Sequence, residues 1–183
     1  MKKQTKQFLM LSIGSILAFQ ACKPDDPAPV NESELITSVV LNFTDSATQQ
    51  VLSFQFNDPD GAGGNNPTVF DTLQLKANST YFVSTLLLDE SKSPVDTISN
   101  EVEEEGIEHQ FFYTPQNGIA LSVTYADQDV NGNPIGLATK WKTGATGSGS
   151  VLVVLKHQPG EKNGSAATGE TDVEVAFPTT ILN

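Results

Sequence analysis

The chain is 183 residues long, and its 22 acidic residues against 10 basic ones give a net charge of −12 at pH 7. Apart from histidine, every basic residue is lysine. An acidic chain without the arginine fork excludes nucleic acid as a partner, because phosphate backbones are bound by clusters of cations. It favours solubility, cation binding or a basic partner. The single cysteine excludes disulfides within the chain.

The first 21 residues have the pattern of a secretory signal peptide. A lysine-rich start is followed by an apolar stretch over residues 8–18 and then by small residues before Cys22. The apolar stretch is shorter than the ~20 residues that span a bilayer. An unpaired cysteine at the cleavage site is typical of lipid modification, so we predict a lipoprotein signal over 1–21 and a lipid anchor on Cys22. The alternative is an ordinary signal ending near Ala21 with an unmodified thiol.

Residues 22–33 are predicted to comprise the lipidated cysteine and a linker. The prolines of this segment favour an extended chain, and Asp25 and Asp26 follow the anchor closely. Removal of residues 1–21 takes away three lysines and no acid, which changes the net charge from −12 to −15.

Residues 34–183 are predicted to form a single antiparallel β-sandwich of the immunoglobulin-like or jelly-roll type, with a barrel as the alternative. Apolar and polar residues alternate in the way that marks half-buried strands. The clearest alternation covers residues 35–43, 52–56, 119–125 and 173–181, and residues 151–155 are apolar on both faces. Turn-forming clusters separate these segments. No ten-residue stretch after Cys22 has a helical period.

Residues 127–133 match the first half of an EF-hand calcium loop. Asp127, Asp129 and Asn131 stand at positions one, three and five, ahead of a glycine at position six. Ala138 stands at position twelve, where a glutamate normally completes the site. A calcium site on these three residues is one hypothesis, and a turn rich in residues that tolerate left-handed backbone is the alternative.

A second cluster suggests a different kind of metal. Glu105 and four other glutamates lie within residues 101–109 beside His109, and His157 is the only other histidine of the chain. Imidazole and carboxylate are ligands of zinc and copper. If the two histidines lie on adjacent strands, they and Glu105 form a transition-metal site. The alternative is a solvated acidic turn and two histidines bonded to nearby backbone.

Trp141 lies between two lysines and before a glycine-rich segment. An aromatic residue of this kind stacks on a sugar or fills a partner's pocket, and its alternative role is core packing. Catalysis is not expected, since the sequence contains no G-x-S-x-G, phosphate-loop or H-E-x-x-H pattern.

The order of several motifs resembles a family of small lipoproteins of the Bacteroidetes. The motifs are the turn at 57–64 and the segments 75–81, 104–112, 127–137, 155–160 and 169–172. This family is often labelled "type 1 periplasmic binding fold superfamily", although that two-lobed α/β fold needs roughly 250–300 residues and alternating helices. The acids behind Cys22 also resemble the surface-export signal of Bacteroidetes lipoproteins. The resemblance implies an outer-membrane lipoprotein displayed on the cell surface, with the inner leaflet of that membrane as the alternative.

Two functions of different classes are consistent with these features. The first is a non-catalytic binding module that captures a metal ion, calcium included, or a small ligand beside a TonB-dependent outer-membrane receptor. The second is a structural or accessory subunit of an envelope protein complex. The lipid anchor implies contact with the membrane in both cases.

Overall fold

The computed structural model describes residues 35–61 and 64–183. The predicted signal peptide, the lipidated Cys22 and the linker lie outside the described residues. In the part of the chain that is described, no helix is long and apolar enough to cross a membrane.

Ten strands and one short helix make up the described chain. In chain order they are β1 (Ser38–Asp45), β2 (Val51–Asn57), β3 (Val69–Phe70), β4 (Leu73–Lys76), β5 (Thr80–Leu88), α1 (Ile98–Glu104), β6 (His109–Gln116), β7 (Leu121–Tyr125), β8 (Ala138–Thr143), β9 (Gly147–His157) and β10 (Glu170–Leu182). The prediction of an all-β domain is confirmed.

The strands form two sheets. One has six strands in the order β3-β2-β1-β5-β8-β7, and the other has four in the order β4-β10-β9-β6. Paired neighbours run antiparallel, except that β4 and β10 run parallel. The two sheets make the sandwich that the alternating pattern predicts, with one parallel pair that the pattern does not reveal.

The hydrophobic core is built from alternate residues of these strands. On β1, for example, Val39, Leu41 and Phe43 have no exposed surface. Trp141 of β8 packs edge-on against Phe43, with ring centroids 5.0 Å apart. The period of two follows from strand geometry, because successive side chains point to opposite faces of a sheet.

The helix α1 leads the chain to the end of the sandwich where β6 begins. It buries Ile98 and Val102, and the hydroxyl oxygen of Ser99 accepts the backbone N–H of Leu87 on β5 at 2.6 Å. Seven residues are too few to produce a helical period over ten, which is why the sequence pattern did not reveal this helix. The acidic residues up to Glu104 therefore lie on a helix, and the expected turn begins after it.

Candidate metal centre

Two histidines face each other across the pairing of β6 and β9. His109 is the first residue of β6, His157 is the last of β9, and the two are direct cross-strand partners. Opposite residues of an antiparallel pair have Cβ atoms about 5 Å apart. The two rings stack, with centroids 4.6 Å apart and planes 13° from parallel. The metal-site hypothesis required the two histidines to lie on adjacent strands, and they do.

Both imidazoles lie on the core side of their sheet, at its end. His109 lies two residues before the buried Phe111 on β6, so the two side chains are on the same face of the sheet. In the same way, His157 lies two residues after the buried Leu155 on β9. The two histidine side chains are 11% and 14% exposed. The pair therefore closes the end of the hydrophobic core while part of each ring reaches solvent.

Glu105 approaches His109 from the turn that follows α1. Its backbone carbonyl accepts the N–H of His109 at 3.2 Å and lies 3.3 Å from the ring atom Nδ1. Its carboxylate Oε2 lies 3.9 Å from the same Nδ1. One ligand atom from each of Glu105, His109 and His157 lies within 4.8 Å of the others, and among the described residues these three form the one such group.

Two further carboxylates face the imidazole nitrogens. Glu108 Oε2 lies 3.4 Å from His157 Nε2, and Asp172 Oδ2 lies 3.8 Å from His109 Nε2. Asp172 sits where the register of β10 against β9 shifts, between Thr171 and Val173. Such a bulge re-aims a side chain. The sequence pattern did not place Asp172 in the site, because a bulge interrupts the alternation from which faces are assigned.

The loop between β9 and β10 holds His157 in place. The buried Gln158 donates its backbone N–H to the carbonyl of Glu108 at 2.6 Å, and its side-chain amide donates to the carbonyls of Ser165 and Thr168. Gly169 has φ +73°, and a Cβ at this position would collide with the carbonyl oxygen of His157. The hydrogen bonds of Gln158 and the close approach of Gly169 therefore fix the end of β9 that carries His157.

The electrostatic setting favours a neutral His109. Burial is the main cause that lowers the pKa of this imidazole; the charge of Asp172 opposes the effect, and the neighbouring His157 adds to it. A neutral imidazole is the form that binds a metal ion.

Two imidazoles and one carboxylate suit a divalent ion of borderline softness such as zinc. Tetrahedral ligands about 2.1 Å from zinc lie roughly 3.4 Å from one another. The ligand atoms here lie within 4.8 Å of one another, so the most distant pair would have to approach by up to about 1.4 Å to reach that spacing. The half-exposed side chain of Glu105 has the freedom to make that movement. The donor set therefore suits such an ion, provided that Glu105 moves closer and the two stacked rings turn so that their in-plane lone pairs converge.

The geometry of residues 127–133 argues for the turn and against the calcium hypothesis. Both carboxylate oxygens of Asp127 accept backbone N–H groups from the segment that leads into β8, each at 2.8 Å. Asp129 accepts the backbone N–H of Asn131, and its Oδ2 accepts the ammonium of Lys162 at 2.8 Å. The carboxylates of Asp127 and Asp129 already accept hydrogen bonds, and a calcium ion would have to displace the ammonium group of Lys162 from Asp129. The structure favours the turn that was the alternative hypothesis.

Trp141 belongs to the core. It has no exposed surface, and its indole N–H donates to the hydroxyl of Thr139 at 2.8 Å. The prediction that Trp141 stacks on a ligand is wrong, and its alternative as a packing residue is correct. The residue was ambiguous in sequence because the lysines on either side of it belong to the opposite face of β8.

The fold and the site together define an all-β sandwich with a candidate His–His–Glu metal centre at one end. No protein-family model matches the chain, and no curated protein or solved structure is significantly similar to it. The resemblance drawn from its motifs stays a prediction.

Proposed function

We propose that this protein is a lipid-anchored envelope protein whose β-sandwich captures a divalent transition-metal ion and does not catalyse a reaction. The observation that carries the proposal is the stacked pair of His109 and His157 with Glu105 beside it. The net charge of −12 supports it as well, because an acidic surface raises the local concentration of cations.

A site with three protein ligands suits capture followed by release. Zinc bound by three protein side chains keeps a further position for water or another ligand. An incoming chelating group can occupy that position before the protein ligands leave. We therefore propose that the ion, alone or with a small ligand, is passed to a TonB-dependent outer-membrane receptor.

The proposed location is the outer membrane, on the cell surface, through a lipid on Cys22. Its support is the signal pattern, the single cysteine and the acids behind it. Labelling with radioactive palmitate should mark the wild-type protein but not Cys22→Ala. Protease added to intact cells should digest the protein, and full protection would contradict surface display.

Calorimetric titration tests metal capture. Residues 23–183 include every strand of both sheets, and the described domain is one compact unit. We expect heat on addition of Zn²⁺ or Cu²⁺ and none with Ca²⁺, and the zinc signal should be lost in the double variant His109→Ala, His157→Ala. No heat with any ion up to about a millimolar, the weak end of extracellular metal sites, would contradict the proposal.

A further inference from the structure

Four strands lie at the edges of the two sheets in the described part of the chain, and three of them are protected against pairing with another chain. These are β3, which has two residues, β4, which has four and ends at Lys76, and β6, which contains Pro115. Short length, lysine and proline are devices by which edge strands avoid other strands. On β6, Phe111 also donates its N–H to the carbonyl of Ile135, and its own carbonyl accepts the hydroxyl of Tyr125.

The fourth edge strand, β7, carries none of these devices. Its five residues, 121–125, include no charged residue and no proline. Its pairing with β8 continues without a bulge. A regular, uncharged edge of this kind is a template for a further strand.

The open side of β7 presents the backbone groups of its odd-numbered residues. Ala126, which follows the strand, donates its N–H to the β8 side. Because the backbone bonds of a strand alternate between its two sides, the N–H and C=O groups of Val123 and Tyr125 point away from β8. The N–H of Leu121 bonds to the carbonyl of Ile119 at 3.0 Å. The donors that a further strand would meet are therefore those of Val123 and Tyr125.

The sequence of β7 is complementary to itself in the antiparallel sense. When Val123 lies opposite Val123 of a second copy, Leu121 meets Tyr125 on the core side, and Ser122 meets Thr124 on the outer side. Apolar and hydroxyl pairs across strands stabilise a sheet. Apolar surface remains for such pairs, since Tyr125 is 37% exposed and Leu121 and Val123 are half-buried. We infer that a second copy of this chain pairs with β7 about a two-fold axis at Val123, which is the self-complementary contact of a symmetric dimer.

Charge favours this edge over other surfaces for contact between two copies. Each copy has a net charge of −12 and therefore repels another. Residues 121–125 contain no acid, and Lys140 and Lys142 of β8 lie directly beside Thr124 and Ser122. A pairing of five residues is small, in the class of interfaces below about 1,200 Å² that form weak complexes. The dimer should therefore be reversible, with a Kd between about 10 µM and 1 mM.

Sedimentation equilibrium of residues 23–183 tests the dimer, in EDTA so that no ion links two chains. The double variant Ser122→Glu, Thr124→Glu places like charges directly opposite each other in the dimer and should weaken it about tenfold or more. Within one copy the new acids lie beside Lys142 and Lys140, so the fold should be kept. The matched control Ser122→Lys, Thr124→Glu places opposite charges across the same contact and should keep the dimer.

Cysteine cross-linking tests the register. Residues 23–183 contain no cysteine, and in Val123→Cys the new thiol lies opposite its copy, with Cα atoms about 5.5 Å apart, which a disulfide spans. Ser122→Cys is the control, because its copy is displaced by two residues and lies beyond the limit of about 7 Å. With oxidised glutathione, Val123→Cys should become mainly a covalent dimer, and the more exposed Ser122→Cys should stay mainly monomeric.

Each outcome decides the inference independently of metal capture. A wild-type chain that stays monomeric up to about 1 mM would overturn it and leave the edge to a strand of another protein. A dimer that the double-glutamate variant does not weaken would place the contact elsewhere. Equal cross-linking of the two cysteine variants would show that the register at Val123 is wrong. Thermal unfolding identifies a variant that has lost its fold, and if the double-glutamate variant unfolds, the cysteine pair decides the question.

Discussion

The ammonium group of Lys162 joins three loops of the sandwich. Its side chain is 3% exposed, and the Nζ atom lies 2.8 Å from Asp129 Oδ2 and 2.6 Å from the carbonyl oxygen of Gly106. Gly106 precedes β6, Asp129 lies between β7 and β8, and Lys162 lies between β9 and β10. A buried ion pair of this kind is sensitive to the loss of one partner, which leaves the other charge uncompensated.

We expect Lys162→Met to lower the free energy of unfolding by about 3 kcal/mol, because Asp129 would stay buried without its cation. Urea unfolding at pH 7 measures the loss. Lys142→Met, at an exposed position of β8, is the matched control and should change stability by less than about 0.5 kcal/mol. An equal loss in both variants would show that the buried pair is not the cause.

The same pair predicts a dependence on pH. Burial opposes the charge of Asp129, but the bonds from Lys162, Asn133 and Asn131 outweigh it and lower the pKa of this carboxyl. A carboxyl with a lowered folded-state pKa adds stability above its unfolded pKa of about 3.9 and loses it as the pH falls through the folded value.

The stability difference between wild type and Lys162→Met should therefore be complete at pH 7 and shrink below about pH 4, where Asp129 takes up a proton. Urea unfolding across this pH range measures it. A difference that stays constant down to about pH 3 would contradict Asp129 as the titrating partner.

At the scale of elements, strands with one apolar face could be predicted, and strands with polar inward positions could not. The alternation in residues 173–181 revealed most of β10. The sequence pattern did not predict strand β8, because two of its inward residues, Thr139 and Thr143, are polar. Both hydroxyls are bonded inside the fold, the first by Trp141 and the second to the carbonyl of Lys76. Buried polar groups that find such partners leave no trace in a hydrophobic pattern.

The edge strand β6 was not predicted from the sequence pattern for a different reason. Three aromatic residues follow one another at 111–113, so both faces look apolar, and Pro115 argues against a strand in the middle of a sheet. Its position beside β9 alone, at the edge of the sheet, makes the proline tolerable. Neither the proline nor the aromatic run identifies the register that brings His109 to His157.

Gly169 offers a prediction about the element that carries His157. It has φ +73°, and a Cβ there would collide with the His157 carbonyl oxygen. We expect Gly169→Ala to cost at least about 2 kcal/mol of stability and to weaken Zn²⁺ binding, because the end of β9 must move. Chemical unfolding and zinc titration measure the two effects.

Gly164 provides the matched control for that substitution. It lies in the same loop with φ +81°, and a Cβ there would meet open space. Gly164→Ala should therefore suffer only the backbone strain of about 1–2 kcal/mol and keep its zinc affinity. The same zinc affinity in both variants would contradict the coupling between Gly169 and His157.

At the scale of the whole molecule, the site depends on pairings between distant segments. His109, His157 and Glu105 were identified from their ligand chemistry, but only on the condition that two strands are neighbours. Register is specified by which face is buried across the whole sheet, and a local pattern does not contain it. The same reason applies to the calcium hypothesis, since the sequence pattern did not show that Lys162 comes to Asp129 from a loop far along the chain.

Metal binding should stabilise the whole domain. An ion that binds only the folded chain adds about 2.7 kcal/mol at a hundredfold excess over its Kd. Each kcal/mol raises the Tm of a domain of this size by about 2–4 °C. We therefore expect saturating Zn²⁺ to raise the Tm by about 5–10 °C in a thermal-unfolding experiment.

Calcium and the double variant His109→Ala, His157→Ala are the controls for that shift. Calcium should leave the Tm unchanged, because Asp127 and Asp129 already bind backbone N–H groups and, at Asp129, a lysine. Zinc should not raise the Tm of the double variant, since one carboxylate from Glu105 cannot hold the ion alone. A Tm shift of the same size with calcium would support the calcium hypothesis for residues 127–133. A Tm shift with zinc in the double variant would show that zinc binds at a place other than the stacked histidines.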